Sequence, residues 1–326
     1  MPLFSLDELE AAAELVRTVV PPTPAYAWPL LARRAGAEVW VKHENHTPIG
    51  AFKVRGGIVY LDALLRGASA PKGVVTATRG NHGQSIALAA RKAGLPCAIF
   101  VPEGNSREKN AAMAAFGAEL IVAGADFDAS RPHAAAFAES RGYHFVPSFH
   151  RELVRGVATY ALELFRAVAG LDAVYVPIGM GSGISGLITV RDLLGLQTEI
   201  VGVVAQNAPA VALSFESGRL IPTNSAATFA DGMACRDPHD EALAIISKGA
   251  ARIVRVSEDE IAEAMRACYE DTHNLTEGAG AAALAALLQE RGRMAGKRVG
   301  LVMSGGNIDR EMFAEVLAGR TPRVAA

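Results

Sequence analysis

Residues 37–57 read AEVWVKHENHTPIGAFKVRGG. The first part alternates apolar and polar residues with period two, the pattern of a strand with one covered face. It then breaks at His43–Pro48 and restarts as a helix-like run that carries one lysine, Lys53, between Gly50 and the pair Gly56–Gly57. A single lysine where a strand gives way to a turn and a helix reads most simply as a solvated loop residue. The segments on either side decide whether it is more than that.

Working outward, short β-branched runs alternate with alanine-rich helical patterns. GVVTAT, CAIFVP, AELIVAG, AVYVPIG, EIVGVVA and RVGLVMSGG join EVWVKH as strands; GQSIALAARKAG, SREKNAAMAAFG and ELVRGVATYALELFRAV read as helices. Such alternation predicts parallel sheets covered on both faces. The rhythm runs quickly from Gly73 to about Ser148 and begins again near Leu171. The expected architecture is therefore α/β with two open parallel-sheet domains, a smaller one (73–148) inserted in a larger one (1–72 and 149–326). Ser257, followed three residues later by Glu260, marks a capping box at a helix start.

The chain has 326 residues, 50% of them hydrophobic, enough for well-developed cores and too apolar for extensive disorder. A formal net charge of −2 gives no electrostatic reason to expect nucleic acid or an anionic membrane as partner. No apolar run is long enough to span a bilayer, and the acidic N-terminus lacks the basic start of a signal peptide. Cys97, Cys235 and Cys268 are scattered without metal-ligand spacing, as expected of a cytoplasmic protein.

Four stretches carry chemistry. In VYVPIGMGSGISG a strand runs into Gly179-Met180-Gly181-Ser182-Gly183 and then a helix, an arrangement of inward-turned N–H groups and helix N-terminus suited to phosphate. It lacks the Lys-Ser/Thr ending of a nucleoside-triphosphate loop. In TATRGNHGQSIALAA another strand ends in a polar turn whose N–H groups, with Asn81 and His82, suit a carboxylate. LVMSGGN ends a strand in Ser304 and two glycines, and TEGAGAA sets Glu277 at the start of a small-residue helix. Each alone reads as a turn. Ligands of open α/β sheets bind beyond the carboxyl ends of strands, and most of these stretches, with the lysine segment, lie there. A lysine, a phosphate cradle, an asparagine-bearing turn and a serine together suit pyridoxal 5'-phosphate, which needs an imine-forming amine, a phosphate anchor and partners for its ring oxygen and nitrogen.

From TPAYAWPLLARRAGAEVWVKHENHTPIGAFKVRGG to LVMSGGN the chain resembles the fold-type II pyridoxal-phosphate enzymes, specifically the serine/threonine dehydratase and serine racemase group. The resemblance implies the tryptophan synthase β-like fold, with the cofactor between its two domains, and a homodimer. It matches Lys53 to the Schiff-base lysine, Phe52 to the residue packed beside the cofactor and Asn81 to the partner of the 3-oxygen. Gly179, Met180, Gly181, Ser182 and Gly183 match the phosphate loop, Ser304 faces the pyridine nitrogen, and Glu277 is the acid near the ring. Thr78, Asn81 and His82 fall in the substrate-carboxylate loop, and Arg131 aligns with a substrate-carboxylate arginine. The implied activity is a dehydratase (ammonia-lyase) that turns a β-hydroxy-α-amino acid, serine/threonine-like, hydroxyaspartate-like or phenylserine-like, into a 2-keto acid and ammonia. Lys53 is its base, and the neutral Ser304 favours elimination over transamination.

Three departures stand out. Position 79 is small in the group, a serine where it serves racemases as second acid-base residue; here it is Arg79, a poor proton shuttle. Arg79 binds an anionic or polar substrate group or assists the leaving hydroxyl, or else it points away and pairs with an acid. Met180 and Ser182 replace glycines of the phosphate loop. After EIVGVVA, where metal-activated relatives carry acidic ligands, no carboxylate occurs before Glu216, so no metal site is expected. Two other enzyme readings remain: a cysteine synthase-like β-replacement, and a nucleotide-binding oxidoreductase using GMGSGISG. The second lacks an acidic residue for ribose at the end of the next strand.

Overall fold

A computed structural model describes residues 2–67 and 70–324 of the chain. Its strands, in chain order, are β1 (Ala25–Ala27), β2 (Glu38–His43), β3 (Val74–Ala77), β4 (Cys97–Val101), β5 (Glu119–Val122), β6 (His144–Phe145), β7 (Ala173–Pro177), β8 (Glu199–Ala205), β9 (Ala250–Val256) and β10 (Arg298–Met303). They form a six-stranded sheet, β1-β2-β10-β7-β8-β9, and a four-stranded sheet, β5-β4-β3-β6. All pairings are parallel except the short antiparallel edge β1–β2. The strands of the smaller sheet come from the stretch of chain between β2 and β7.

Both sheets are covered as their apolar runs require. β3 and β4 are buried along their whole length, as strands with helices on both faces must be. The helix Gly278–Gln289 is alanine- and leucine-rich all round and buried from Gly278 to Leu287; a helix apolar on every side belongs inside. Each of the seven strand runs read from the sequence forms a strand. β1, β6 and β9 were not anticipated, because β1 and β6 are only three and two residues long and β9, AARIVRV, carries two arginines. The stretch ELVRGVATYALELFRAV, expected as one helix, is two, Arg151–Val157 and Thr159–Ala167, which meet at Ala158. The Ser257–Glu260 capping box is formed.

Behind the lysine segment lies a buried ion network. Arg55, two residues after Lys53 on the helix Lys53–Leu65, is 0% exposed. Its guanidinium donates to Glu44 at 2.7 and 3.0 Å and to Glu163 at 2.8 and 2.9 Å. Lys42 Nζ completes the set with Glu163 at 2.6 Å. Two cations and two carboxylates therefore answer each other where none could be buried alone, and they fasten the helix that carries Lys53 to the end of β2.

Candidate active site

The site forms where three neighbouring strands of the large sheet end. β2 leads to the lysine segment, β10 to Ser304, and β7 to the glycine loop, and these strands are adjacent in the order β2-β10-β7. Backbone bonds stitch the first two together: Phe52 N donates to Ser304 O at 3.0 Å, Gly306 N donates to Gly50 O at 2.9 Å, and Ala51 bridges Gly305. From the small sheet, β3 delivers Thr78–His82 to the same place. Ser85 Oγ, one turn into the helix Asn81–Ala93, donates to Lys53 O at 2.6 Å and ties that helix to the lysine. The cleft between the sheets is lined by residues of both, from Thr78–His82 on one side to the glycine loop and Ser304 on the other.

Lys53 Nζ donates to Ser182 Oγ at 2.9 Å and stands 5.0 Å from the centre of the Phe52 ring. The side chain borders the cleft, and the protein around it excludes enough water to bring its amine down to about 8. The glycine loop opens the helix Ser182–Leu193. Gly181 has φ +96, and a Cβ at Gly179 would lie 2.3 Å from Gly232 O; only glycine meets both demands. The loop is pinned from behind by Tyr160 OH, which donates to Gly183 O at 3.0 Å and meets the Phe52 ring edge-on at 6.0 Å. Met180 Sδ lies 3.6 Å from Cys235 Sγ.

Opposite the lysine, Asn81 Nδ2 donates to Glu277 Oε1 at 2.7 Å, and Asn81 Oδ1 accepts from Asn307 Nδ2 at 2.9 Å. Glu277 Oε2 accepts from Lys109 Nζ at 3.0 Å, and the same ammonium reaches both oxygens of Asp231 at 2.9 and 2.7 Å. Burial alone would discharge Lys109, but the two carboxylates more than reverse this and hold its pKa above the usual lysine value. Burial, and then the Asp231 charge, push the Glu277 carboxyl up against the pull of Lys109. His82 is buried with Nε2 unpartnered, and burial, helped by the Lys53 charge, lowers it to about 3. Its imidazole is neutral.

Of the residues singled out from the sequence, Lys53, Phe52, Thr78, Arg79, Asn81, His82, the loop from Gly179 to Gly183, Glu277 and Ser304 all line this one cleft. Thr78 has a structural task there as well, since its Oγ1 accepts from Gly80 N at 2.9 Å and Gly83 N at 3.3 Å and closes the turn. Arg79 lines the cleft and has no ion pair or hydrogen bond among the described residues; its Nε is buried without a partner. Arg131 is not brought to the cleft: it is exposed on the helix Phe127–Arg141 and faces Asp128 at 3.8 Å. Lys109 and Asp231 were missed. Lys109 sits in a helix of ordinary polar composition and its partner Asp231 is 122 residues away in the chain; neither carries a local mark. Among the described residues no cluster of three or more His, Cys, Asp or Glu could hold a metal, and no helix is long and apolar enough to cross a membrane.

The donor set fits a phosphorylated aldehyde cofactor. A glycine loop at a helix N-terminus suits a phosphate, a poorly solvated amine suits an aldehyde, and the buried Nε2 of His82, in the cleft wall, is left without a partner in the protein. The comparisons agree. A family profile described as "Pyridoxal-phosphate dependent enzyme" matches residues 16–305. The chain is 32% identical over 316 residues to an L-threonine ammonia-lyase of Thermotoga maritima, covering 97% of this chain and 78% of that one. It is 32% identical over 322 residues to an L-threo-3-hydroxyaspartate ammonia-lyase of a Pseudomonas species, covering 98% of this chain and 100% of that one. Among solved structures, the processed form of threonine deaminase isoform 2 from Solanum lycopersicum superposes with a TM-score of 0.88 at 28% identity, covering 97% of this chain and 90% of that one. With Lys53, a glycine loop at a helix N-terminus and Ser304 gathered at the ends of adjacent strands, and a family match along nearly its whole length, the chain belongs to the pyridoxal-phosphate dependent enzymes of fold type II.

Proposed function

We propose that this enzyme is an ammonia-lyase: it removes water from a β-hydroxy-α-amino acid and releases a 2-keto acid and ammonia. The observation that carries the reading is the Lys53 amine, lowered to about 8 by burial and 2.9 Å from Ser182 Oγ at the mouth of the glycine loop. The named activities of the ammonia-lyase relatives support it.

In this reading Lys53 holds the cofactor covalently, the N–H groups of the loop from Gly179 to Gly183 take its phosphate, Asn81 faces its ring oxygen and Ser304 its ring nitrogen. When bound, pyridoxal phosphate supplies an electron sink for the substrate's α-carbon. The chain's own groups do the rest. The first N–H groups of the helix Asn81–Ala93, those of Asn81 and His82, have no acceptor within the helix and receive the α-carboxylate. Once displaced from the cofactor, the Lys53 amine, lowered to about 8, has a far larger neutral fraction near neutral pH than a solvated lysine and takes the proton from Cα. The β-hydroxyl leaves as water, and the enamine, once released, adds water to give the keto acid and ammonia. Ser304 would offer the ring nitrogen a hydroxyl in place of a carboxylate, a weaker partner that favours elimination over transamination. Glu277 fixes the Asn81 amide, since its Oε1 takes one of the two amide hydrogens and leaves the other for the cofactor. We take residues 73–148 as the small domain that presents the carboxylate loop. The reading includes a cytoplasmic homodimer, in keeping with three buried cysteines that form no disulfide.

The test is release of keto acid and ammonia by cofactor-loaded protein from serine, threonine, 3-hydroxyaspartate and phenylserine, with Lys53→Ala as control. Equimolar products, lost in the variant, support the reading. A protein that makes a new amino acid only when a thiol is added, and no keto acid without it, is a β-replacement enzyme instead.

A further inference from the structure

The arginine of the TATRGNHG turn has no place in the scheme above, and its surroundings single it out. Arg79 follows β3, half-buried in the cleft wall, with Nε buried and unpartnered. The acids nearest to hand are spoken for: Asp231 and Glu277 both accept from Lys109. Elsewhere in the molecule, comparably buried guanidiniums are met by carboxylates, Arg55 by Glu44 and Glu163, Arg252 by Glu199 and Glu290, and Arg236 by Asp126 and Asp128. Among the described residues, the cleft thus carries one cation, besides the cofactor's own lysine, that the protein does not answer. A partly buried guanidinium left in that state is costly unless a ligand supplies the acceptor, and the acceptor that suits its planar fork is a carboxylate.

There is room for such a group. Arg79 also borders a recess beside the cleft, shared with Lys109, Asp231 and Glu277 and lined further by Asn105 and Asn307. Asp309, in that recess, already accepts from Ser106 Oγ at 2.5 Å and from Glu108 N at 3.2 Å. The α-carboxylate has its own receptor in the N–H groups of Asn81 and His82, so a carboxylate at Arg79 is a second one, borne by the substrate's side chain.

We propose that Arg79 is the specificity residue of this enzyme, binding a carboxylate on the β-carbon side of the substrate, so that the preferred substrates are acidic β-hydroxy-α-amino acids of the 3-hydroxyaspartate kind. The inference rests on the ammonia-lyase reading and adds to it the class of side chain. It also gives position 79 a task other than proton transfer, which an always-charged arginine performs poorly.

The experiment compares holoenzyme with Arg79→Gln and Arg79→Lys, each checked for the absorbance of bound cofactor. The first readout is the ratio of kcat/KM for 3-hydroxyaspartate, both diastereomers, to kcat/KM for serine. The second is competitive inhibition by succinate against butyrate, which has the same carbon count but a methyl in place of the second carboxylate. We expect the ratio to fall on the order of 100-fold in Arg79→Gln, the size of a lost charge-assisted hydrogen bond pair, mainly through KM, with part of it restored by the point charge of Arg79→Lys. Succinate should bind about tenfold or more tighter than butyrate to the parent and equally to Arg79→Gln. Keto acid released fastest from serine, threonine or phenylserine, or a ratio unchanged by Arg79→Gln, overturns the inference and leaves the ammonia-lyase standing. No keto acid from any substrate overturns both.

Discussion

At the scale of single residues, the chemistry turns on what surrounds two side chains. Burial brings the Lys53 amine from the usual lysine value to about 8, so its neutral, nucleophilic form becomes abundant more than two pH units below that of a solvated lysine. The rate at which apoprotein captures pyridoxal phosphate should therefore rise with pH and level off above about 8, as followed by stopped-flow absorbance. A rise continuing toward pH 10 would mean that the amine is solvated. Ser304 is buried at the end of β10. In the proposed reading Ser304 faces the ring nitrogen of the cofactor, and an aspartate there would favour its protonated form and make transamination compete better with elimination. In Ser304→Asp the share of turnovers that end with the cofactor in its amine form should increase at least tenfold, an order-of-magnitude expectation, read from the absorbance left after substrate is exhausted. That both residues would line the cleft was legible in the sequence because each follows a strand and lies beside glycines. The place of Lys109 was not, since its meaning lies in Asp231 and Glu277, which only the fold brings to it.

At the scale of elements, the glycine loop illustrates how local backbone and function coincide. Gly181 is left-handed, and a Cβ there would stand 2.9 Å from that of Ala242. Gly181→Ala should cost about 1–2 kcal/mol by urea unfolding and, if the loop takes the phosphate as proposed, weaken cofactor binding about tenfold or more by fluorescence titration, because the loop's N–H groups shift with it. Strands were easiest to read where they are long and central: β7, β8 and β10 are valine-rich apolar runs, β2 alternates apolar and polar residues, and each ends in a turn. The edges were hard. β1 and β6 owe their strand state to a neighbour and not to their own composition. The split of ELVRGVATYALELFRAV at Ala158 comes from packing, where Gly156 abuts the Arg55 and Gly56 backbone and Gly186 abuts Ala158; no proline or capping signal announces it. The placement of Arg131 failed for a related reason. Alignment along a helix fixes its position, but the face it presents is set by how the helix packs.

At the scale of the whole molecule, the two sheets meet through polar contacts at the mouth of the cleft. Lys109, on the helix Arg107–Ala115 beside the small sheet, reaches Asp231 and Glu277 beside the large one; Asn81 reaches Glu277 and Asn307; Ser106 reaches Asp309. Lys109→Met leaves the buried carboxylate of Glu277 and the partly buried one of Asp231 without their shared cation. The loss should be about 3–5 kcal/mol of stability, with faster amide exchange concentrated at residues 79–83 and 231–233; an unchanged exchange pattern would show that the latch is not what holds the sheets together. The parallel α/β architecture and the gathering of motifs at strand ends followed from the order of strands and turns, because the carboxyl ends of parallel strands share one edge. Which strands are neighbours, and hence that the lysine, the serine and the glycine loop come from three adjacent strands, did not. The account as a whole rests on Lys53 being the residue that holds the cofactor, and one measurement addresses that directly: load the protein with pyridoxal phosphate, reduce with borohydride, digest, and locate the pyridoxyl group by mass spectrometry. A single modification on the peptide that contains Lys53 is the predicted result. Modification at Lys42, Lys109 or an exposed lysine, with Lys53 untouched, would contradict it.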